Sequence, residues 1–180
     1  MASPLDWTAV ERAIRAWVKT GTGYDNNHVI WANQDGPRPT RPFATLALQS
    51  IGEVGLDGLY TDTDLSRPLG SEVQLFGGGL REIVVRLQFF TVGANSAAAA
   101  RIVATKTRSA LRLPSSRDPL LTAGVAPFDQ SDVRDLSAIL ESDNEGRATF
   151  DARFYVEDGA EEFVGFIEIL EGTATVGGTA

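Results

Sequence analysis

Cysteine is absent from the chain, which excludes disulfide bonds, thiolate nucleophiles and the usual cysteine-bearing zinc sites. Histidine occurs once, at His28 beside a predicted short strand, and we interpret it as a structural side chain. The sequence also lacks a G-x-S-x-G elbow and a Walker motif. We therefore expect no enzyme activity, and we assign no catalytic, metal-binding or cofactor-binding residue.

Long apolar runs and a surplus of positive charge are missing as well. No segment approaches the roughly 20 apolar residues that span a bilayer, so we expect no membrane association. The 16 basic residues are outnumbered by 24 acidic residues, and the formal net charge of -8 argues against a surface that binds nucleic-acid phosphates. Residues 1–7 lack the basic and apolar stretches of a secretory signal, so we expect a protein made and used in a cytoplasm.

The chain does contain enough apolar material for one core. With 180 residues and 43% apolar content, we expect a single domain over residues 1–171. Residues 172–180 are small and uncharged, and we expect them to form a flexible tail.

The first of two predicted helices starts after Ser3, which can cap free amides, and runs to about Val18. Its apolar residues recur at helical spacing on one face. They are Trp7, Val10, Ile14 and Trp17. This pattern indicates an amphipathic helix that packs on a larger element.

The second predicted helix begins at Asn95 or Ser96 and ends near Leu111. Its alanine run, residues 97–100, offers a smooth surface for close packing, and we expect the buried side to continue through Ile102, Val103 and Ala110. The segment from Pro114 to Pro119 is expected to be a loop.

The clearest strand has apolar residues at every second position. They are Ala148, Phe150, Ala152, Phe154 and Val156. Further strands are expected at residues 28–31, 43–51, 80–92, 136–140 and 163–170, with turns at 143–146 and before 163. The order helix, strands, helix, strands predicts an α+β fold with an antiparallel or mixed β-sheet and two main α-helices packed on one face.

Three prolines, Pro37, Pro39 and Pro42, stand directly before the strand that begins at Phe43. Proline has no amide hydrogen and favours an extended conformation in the residue before it. Residues 37–42 therefore form neither a helix nor an interior strand. We call them the proline lead-in and expect a stiff, extended segment.

A glycine-rich stretch at about residues 52–79 is predicted to be a long hairpin or loop, and the Gly77–Gly79 run a turn or bulge. Asp62 and Asp64 lie within it. The glycine and glutamate positions of a calcium loop do not follow, so we interpret them as solvated turn residues. The stretch is either an assembly arm or a surface hairpin.

The polar side of the long strands carries charges of alternating sign with aromatic residues among them. Such a face is either simply solvated or complementary to a neighbouring copy of the chain. On the second interpretation, the candidate subunit-interface residues are Arg38, Arg41, Phe43, Glu82, Arg86, Arg147, Asp151, Arg153 and Tyr155.

Several stretches in succession, over roughly residues 5–170, resemble the tail terminator (neck terminator) proteins of long-tailed bacteriophages. They are "IWANQDGPRPTRPFATLAL", "REIVVRLQFFTVGANSAAAARIVATKTRSAL", "LLTAGVAPFDQSDVRDLSAIL" and "EGRATFDARFYVED". The resemblance implies a structural virion protein, with no catalytic residues, that forms a homohexameric ring on the tail tube, stops tube polymerisation and joins the tail to the head connector or stopper protein.

The same resemblance implies a location at the head-tail junction after assembly in the host bacterial cytoplasm. DNA would pass through an acidic lumen without specific binding. Two alternatives remain at this point. One is another junction component, such as a completion protein or tube subunit, and the other is a soluble ligand-binding domain or enzyme.

Overall fold

The computed structural model describes residues 5–33, 37–64, 66–68, 71–93, 95–140 and 143–164. The predicted Ser3 cap, the tail at 172–180 and the strand residues after 164 lie outside these ranges. The described elements are α1 (Trp7–Thr22), β1 (Val29–Trp31), β2 (Phe43–Thr63), β3 (Val73–Val92), α2 (Ser96–Ala110), α3 (Pro114–Thr122), β4 (Val125–Gln130), β5 (Arg134–Asp135), β6 (Ala138–Leu140) and β7 (Asp143–Val164). They form an α+β fold, as predicted.

The mixed sheet has the strand order β1-β2-β3-β7-β4, with β5 and β6 also paired to β7. The β1–β2 pair is parallel, and the other described pairs are antiparallel. The predicted apolar alternation is confirmed, because the side chains on one face of β3 and β7 are fully buried. They are Ile83, Val85, Leu87, Phe89, Ala148, Phe150, Ala152 and Phe154. The helices pack against this face.

Helix α1 is capped at both ends by its own sequence. Asp6 Oδ1 accepts a hydrogen bond from the amide of Ala9 at 3.1 Å, and Gly23 ends the helix at φ 75° with its amide bound to the Lys19 carbonyl at 2.8 Å. The helix thus starts after Asp6, three residues later than predicted, and ends about one turn later than predicted. Of its predicted apolar face, Val10, Ile14 and Trp17 are buried and Trp7 is partly buried, and the Trp17 ring meets Phe154 edge-on at 5.8 Å.

Helix α2 packs through a narrow stripe at Ala100, Ala104 and Thr107. The crossing with α1 is close, since a Cβ on Gly21 would lie 2.6 Å from the Thr107 Cα. The prediction that Ile102 is buried was wrong, since its side chain is 66% exposed. The small residues Ala100, Ala104 and Thr107 form the buried contact, and Ile102 faces away from them.

A third helix, α3, replaces the loop predicted at Pro114–Pro119. Pro114 occupies the first turn, where an amide donor is not needed, so it starts the helix instead of preventing it. Burial of Ser116 and Leu120 fixes the segment against the rest of the fold.

Strands β2, β3 and β7 continue well beyond the helix-covered core. The Gly77–Gly79 run is part of β3 and pairs with both neighbours, so no turn lies there; a register shift of the bulge type lies opposite it, in β2 between Val54 and Gly58. Within residues 52–79, β2 and β3 pair as antiparallel strands. The acidic turn predicted before residue 163 is also strand, and β7 begins at Asp143, within the predicted 143–146 turn. Pairing on two sides outweighs the poor strand propensity of glycine. We call residues 52–64, 66–68, 71–82 and 157–164 the arm.

Candidate subunit interface

The face of the sheet opposite the helices presents the polar residues that alternate with the core. The residues of this helix-free face on β7 stand opposite matching residues of β3, as in the pairs Arg86–Asp151, Glu82–Tyr155 and Leu80–Glu157. The predicted alternation of the two faces therefore places the strand candidates together on one surface. Proline lead-in candidates Arg38 and Arg41 reach the same surface from its edge.

Asp151 binds two arginines on this face. Arg86 Nε donates to Asp151 Oδ1 at 2.8 Å, and Arg134 Nη2 lies 3.4 Å from Asp151 Oδ2. The hydrogen bond to Asp151 raises the pKa of Arg86 above its ordinary value. The single Asp151 carboxylate therefore offsets the charge of one of these two arginines within the subunit.

A stack of aromatic and guanidinium groups lies at the Phe43 end of the face. The Phe43 and Phe90 rings stack at 4.6 Å, and the Arg38 Cζ lies 5.0 Å from the Phe43 ring centre and 4.6 Å from that of Phe90. Arg147 approaches Phe90 as well, at 5.2 Å. Such cation–π contacts stabilise partly desolvated arginines. Phe43 is only 1% exposed, so it supports this surface from beneath.

The proline lead-in is held against its own subunit at several points. Besides the Arg38 stack, Arg41 Nη2 forms an ion pair with the Glu145 carboxylate, and the Arg41–Pro42 peptide bond is cis. Arg147 Nη2 donates to Gln88 Oε1 at 2.7 Å nearby. These contacts fix both lead-in arginines at the border of the helix-free face.

The remaining candidates are more accessible. Arg153 is exposed, and the Tyr155 ring packs at 4.6 Å on Phe128, which is itself 57% exposed. Glu82 stands beside Tyr155 across the strand pair. Sequence reasoning missed Phe128, although an aromatic residue between Pro127 and Asp129 in a short strand is a signal that could have pointed to it.

A groove crosses the arm on the helix-free side, and sequence reasoning missed it too. Gly58, Gly78 and Gly159 are direct partners on three adjacent strands, and the Tyr60 side chain lies over Gly58, since a Cβ there would be 2.8 Å from the Tyr60 ring. The groove has a volume of about 650 Å³, and its lining includes Leu56, Tyr60, Phe76, Leu80, Asp62 and Glu157. The spacing of the glycines in the sequence does not reveal this pairing, because the β2 bulge between Val54 and Gly58 sets the register.

The polar residues considered for metal binding have protein partners. His28 Nδ1 lies 2.7 Å from Asp25 Oδ1, and this hydrogen bond lowers the pKa of Asp25. Asp62 and Asp64 both pair with Arg67. Within the described ranges, no group of three His, Asp or Glu side chains could hold a metal ion, and none of the helices there has the length and apolar character to cross a membrane.

A β face with charges of both signs and a three-stranded arm beyond the helices are typical of a protein that works through contacts with other proteins. The sequence profile of the phage neck terminator protein family matches residues 8–179. The chain therefore belongs to the phage neck terminator family, as the resemblance predicted, and is a structural virion component of the head-tail junction. The family is not known to be enzymatic. No curated protein matches the chain.

Proposed function

We propose that this protein forms a homohexameric ring on the end of the phage tail tube, stops tube polymerisation and joins the tail to the head connector or stopper protein. The observation that carries the proposal is the family match over residues 8–179. The helix-free face supports it, since that face combines exposed aromatic side chains with charges of both signs. Residues 1–171 would form the ring-building domain.

The candidate interface residues divide into two roles. Glu82, Arg153 and Tyr155, together with Phe128, are accessible and would contact a neighbouring protein directly. The other candidates are engaged inside the subunit and would position the contacting surface. They are Arg38, Arg41, Phe43, Arg86, Arg147 and Asp151.

The assembled ring would lie at the head-tail junction of the virion after assembly in the bacterial cytoplasm. DNA would pass through its lumen without specific binding, because an overall charge of -8 disfavours phosphate contacts. No chemistry on the DNA is required for this role.

Electron microscopy and native mass measurement of the purified protein, alone and with the tail tube protein, test the proposal. We expect single closed rings of six subunits, and tubes that end where the ring binds. Long stacks of rings would instead identify a tube subunit, and a protein that stays monomeric in both samples would contradict the proposal.

The helix-free face is tested by reversing one exposed charge. Arg153→Glu should weaken ring formation about tenfold, because an interface charge then meets a like or unpaired charge. Arg12→Glu, on the exposed side of α1, is the matched control and should leave ring formation unchanged. Equal effects of both changes would argue against this face.

A further inference from the structure

The charge of this molecule is divided between the arm and the α2–α3 region. The arm carries many more carboxylates than cations. Its acidic residues are Glu53, Asp57, Asp62, Asp64, Glu72, Glu82, Glu157, Asp158, Glu161 and Glu162, and its basic residues are Arg67 and Arg81. The arm is therefore a strongly acidic projection, beyond what the net charge of the chain alone suggests.

The two arm arginines are already engaged. Arg81 Nη2 lies 2.6 Å from Asp57 Oδ2, and its Nε lies 3.7 Å from Asp158 Oδ2. Arg81 stands on the opposite face of the arm from the groove, because groove residue Leu80 is its neighbour along the strand. Among the described residues, Glu157 at the groove makes no ion pair within 4.0 Å.

The α2–α3 region has the opposite sign. No acidic residue occurs between Glu82 and Asp118, and this interval contains Arg86, Arg101, Lys106, Arg108, Arg112 and Arg117. Arg101 and Arg108 reach Asp135 and Asp132, at 3.5 and 3.7 Å. For the part of the chain that the structure describes, Lys106, Arg112 and Arg117 make no such ion pair.

Exposed apolar side chains lie among these cations. Ile102 and Lys106 are four residues apart on α2, and Arg117 and Leu121 are four apart on α3, so each pair shares a helix face. Leu113, 55% exposed, lies between the two helices. We call Ile102, Lys106, Arg112, Leu113, Arg117 and Leu121 the helical stripe.

The groove of the arm has the complementary composition. Leu56, Tyr60 and Leu80 are exposed there by 97%, 69% and 41%, with Asp62 and Glu157 at the rim. A helix that lays an apolar face into a hydrophobic groove is a common mode of protein recognition. Gly78 and Gly159 leave space beside the Tyr60 ring where a helix would approach, and Glu157 would meet lysine and arginine, whereas Asp62 is already paired with Arg67.

A closed ring requires two different patches on each subunit that fit each other, since a contact between identical patches ends at a dimer. The structure offers such a pair. We infer that the groove of the arm binds the helical stripe of the neighbouring copy in the ring. This inference rests on the proposed ring and names the surfaces that would meet in it.

Cysteine cross-linking tests the contact directly, because the chain has no cysteine of its own. A double variant, Tyr60→Cys with Ile102→Cys, should give a ladder of covalent oligomers up to the closed ring under oxidation. Each single variant should give no cross-link, and a mixture of the two should stop at dimers. The matched control combines Tyr60→Cys with Thr8→Cys, because Thr8 is an exposed residue in the first turn of α1 and lies outside the helical stripe. This control should not form the ladder.

Charge reversal gives a second, independent measurement. Glu157→Lys and Lys106→Glu should each weaken self-association about tenfold, and the chain with both changes should recover most of the loss. Circular dichroism of each variant checks that the fold is kept. Arg12→Glu is the control for a helix cation outside the stripe.

The outcomes separate this contact from the proposed function. Rings that form normally, without the specific cross-link and without rescue by the double reversal, would overturn the arm-stripe contact and leave the ring proposal standing. Cross-linking of Tyr60→Cys to itself would show an arm-arm contact and overturn the inference. Absence of any ring, with or without the tube protein, would contradict both.

Discussion

Single residues in this protein are placed by contacts that span the chain. Arg38 and Phe43 are close in sequence, yet Phe90 from another strand completes their stack. Sequence reasoning selected both residues, but it could not see that the arginine covers its own subunit's aromatic pair. The position of the arginine depends on tertiary contacts, which the spacing of residues along the chain does not encode.

The close packing of α1 on α2 depends on the absence of a side chain at Gly21. A Cβ there would meet Thr107 Cα at 2.6 Å, so Gly21→Ala should force the helices apart and lower the free energy of unfolding by about 1–3 kcal/mol. Gly52→Ala is the control, since nothing lies within 4 Å of a Cβ at that site. Chemical denaturation of both variants measures the difference, and equal midpoints would contradict the close crossing.

Asp57 offers a test of the arm by titration. The hydrogen bond from Arg81 lowers the pKa of this carboxyl, so its stabilising effect is present above the unfolded-state pKa and is lost as the pH falls through the lower folded value. Carboxyl NMR should show Asp57 titrating below ordinary aspartates, and Arg81→Gln should return it to the ordinary range. An ordinary pKa in the unmodified chain would show that the pair does not persist in solution.

At the scale of elements, segments with strong hydrophobic periodicity were predicted correctly, whereas two segments rich in glycine or proline were assigned to the wrong secondary structure. The alternation over residues 148–156 and the apolar face of α1 are present as predicted, because burial on one side selects both patterns. Local propensity predicts a turn or bulge at Gly77–Gly79 and a loop at Pro114–Pro119, but these residues lie in β3 and α3. Each lies in an element that neighbouring strands or a buried side chain stabilise, which a single sequence does not display.

Strand β3 should show two levels of protection within one element. Residues 83–89 are packed beneath helices, whereas residues 75–80 are half-buried or exposed in the arm, so amide exchange should be clearly faster in the arm. Hydrogen exchange followed by mass spectrometry resolves the two parts. Uniform protection along β3 in the monomer would contradict the separation of arm and core.

The whole molecule combines a conventional core with an uneven distribution of charge. The sequence supplied the fold class, the family and the idea of a patterned β face. It indicated an arm or hairpin at about residues 52–79 but not the third strand of the arm, residues 157–164, since a three-stranded arm depends on which strands pair and where the β2 bulges fall. The same dependence hid the groove.

Assembly should respond to salt much more than folding does. If the acidic arm meets the helical stripe, raising the ionic strength from about 0.05 to 0.5 M should weaken self-association, because surface charges are screened beyond a few ångströms. The thermal unfolding midpoint of the monomer should move little, since the core is apolar. Sedimentation and thermal scans on the same samples compare the two effects, and salt-insensitive association would argue against charge pairing between subunits.

The continuous strands of the arm have a further consequence for the unassembled chain. Long edge strands with unpaired backbone groups can pair with the edges of other copies and form fibres. Here the arms of all copies carry the same negative charge, so two arms repel each other before their backbones can form hydrogen bonds. The carboxylates thus oppose fusion of one arm with another and leave each arm available to a surface of opposite sign.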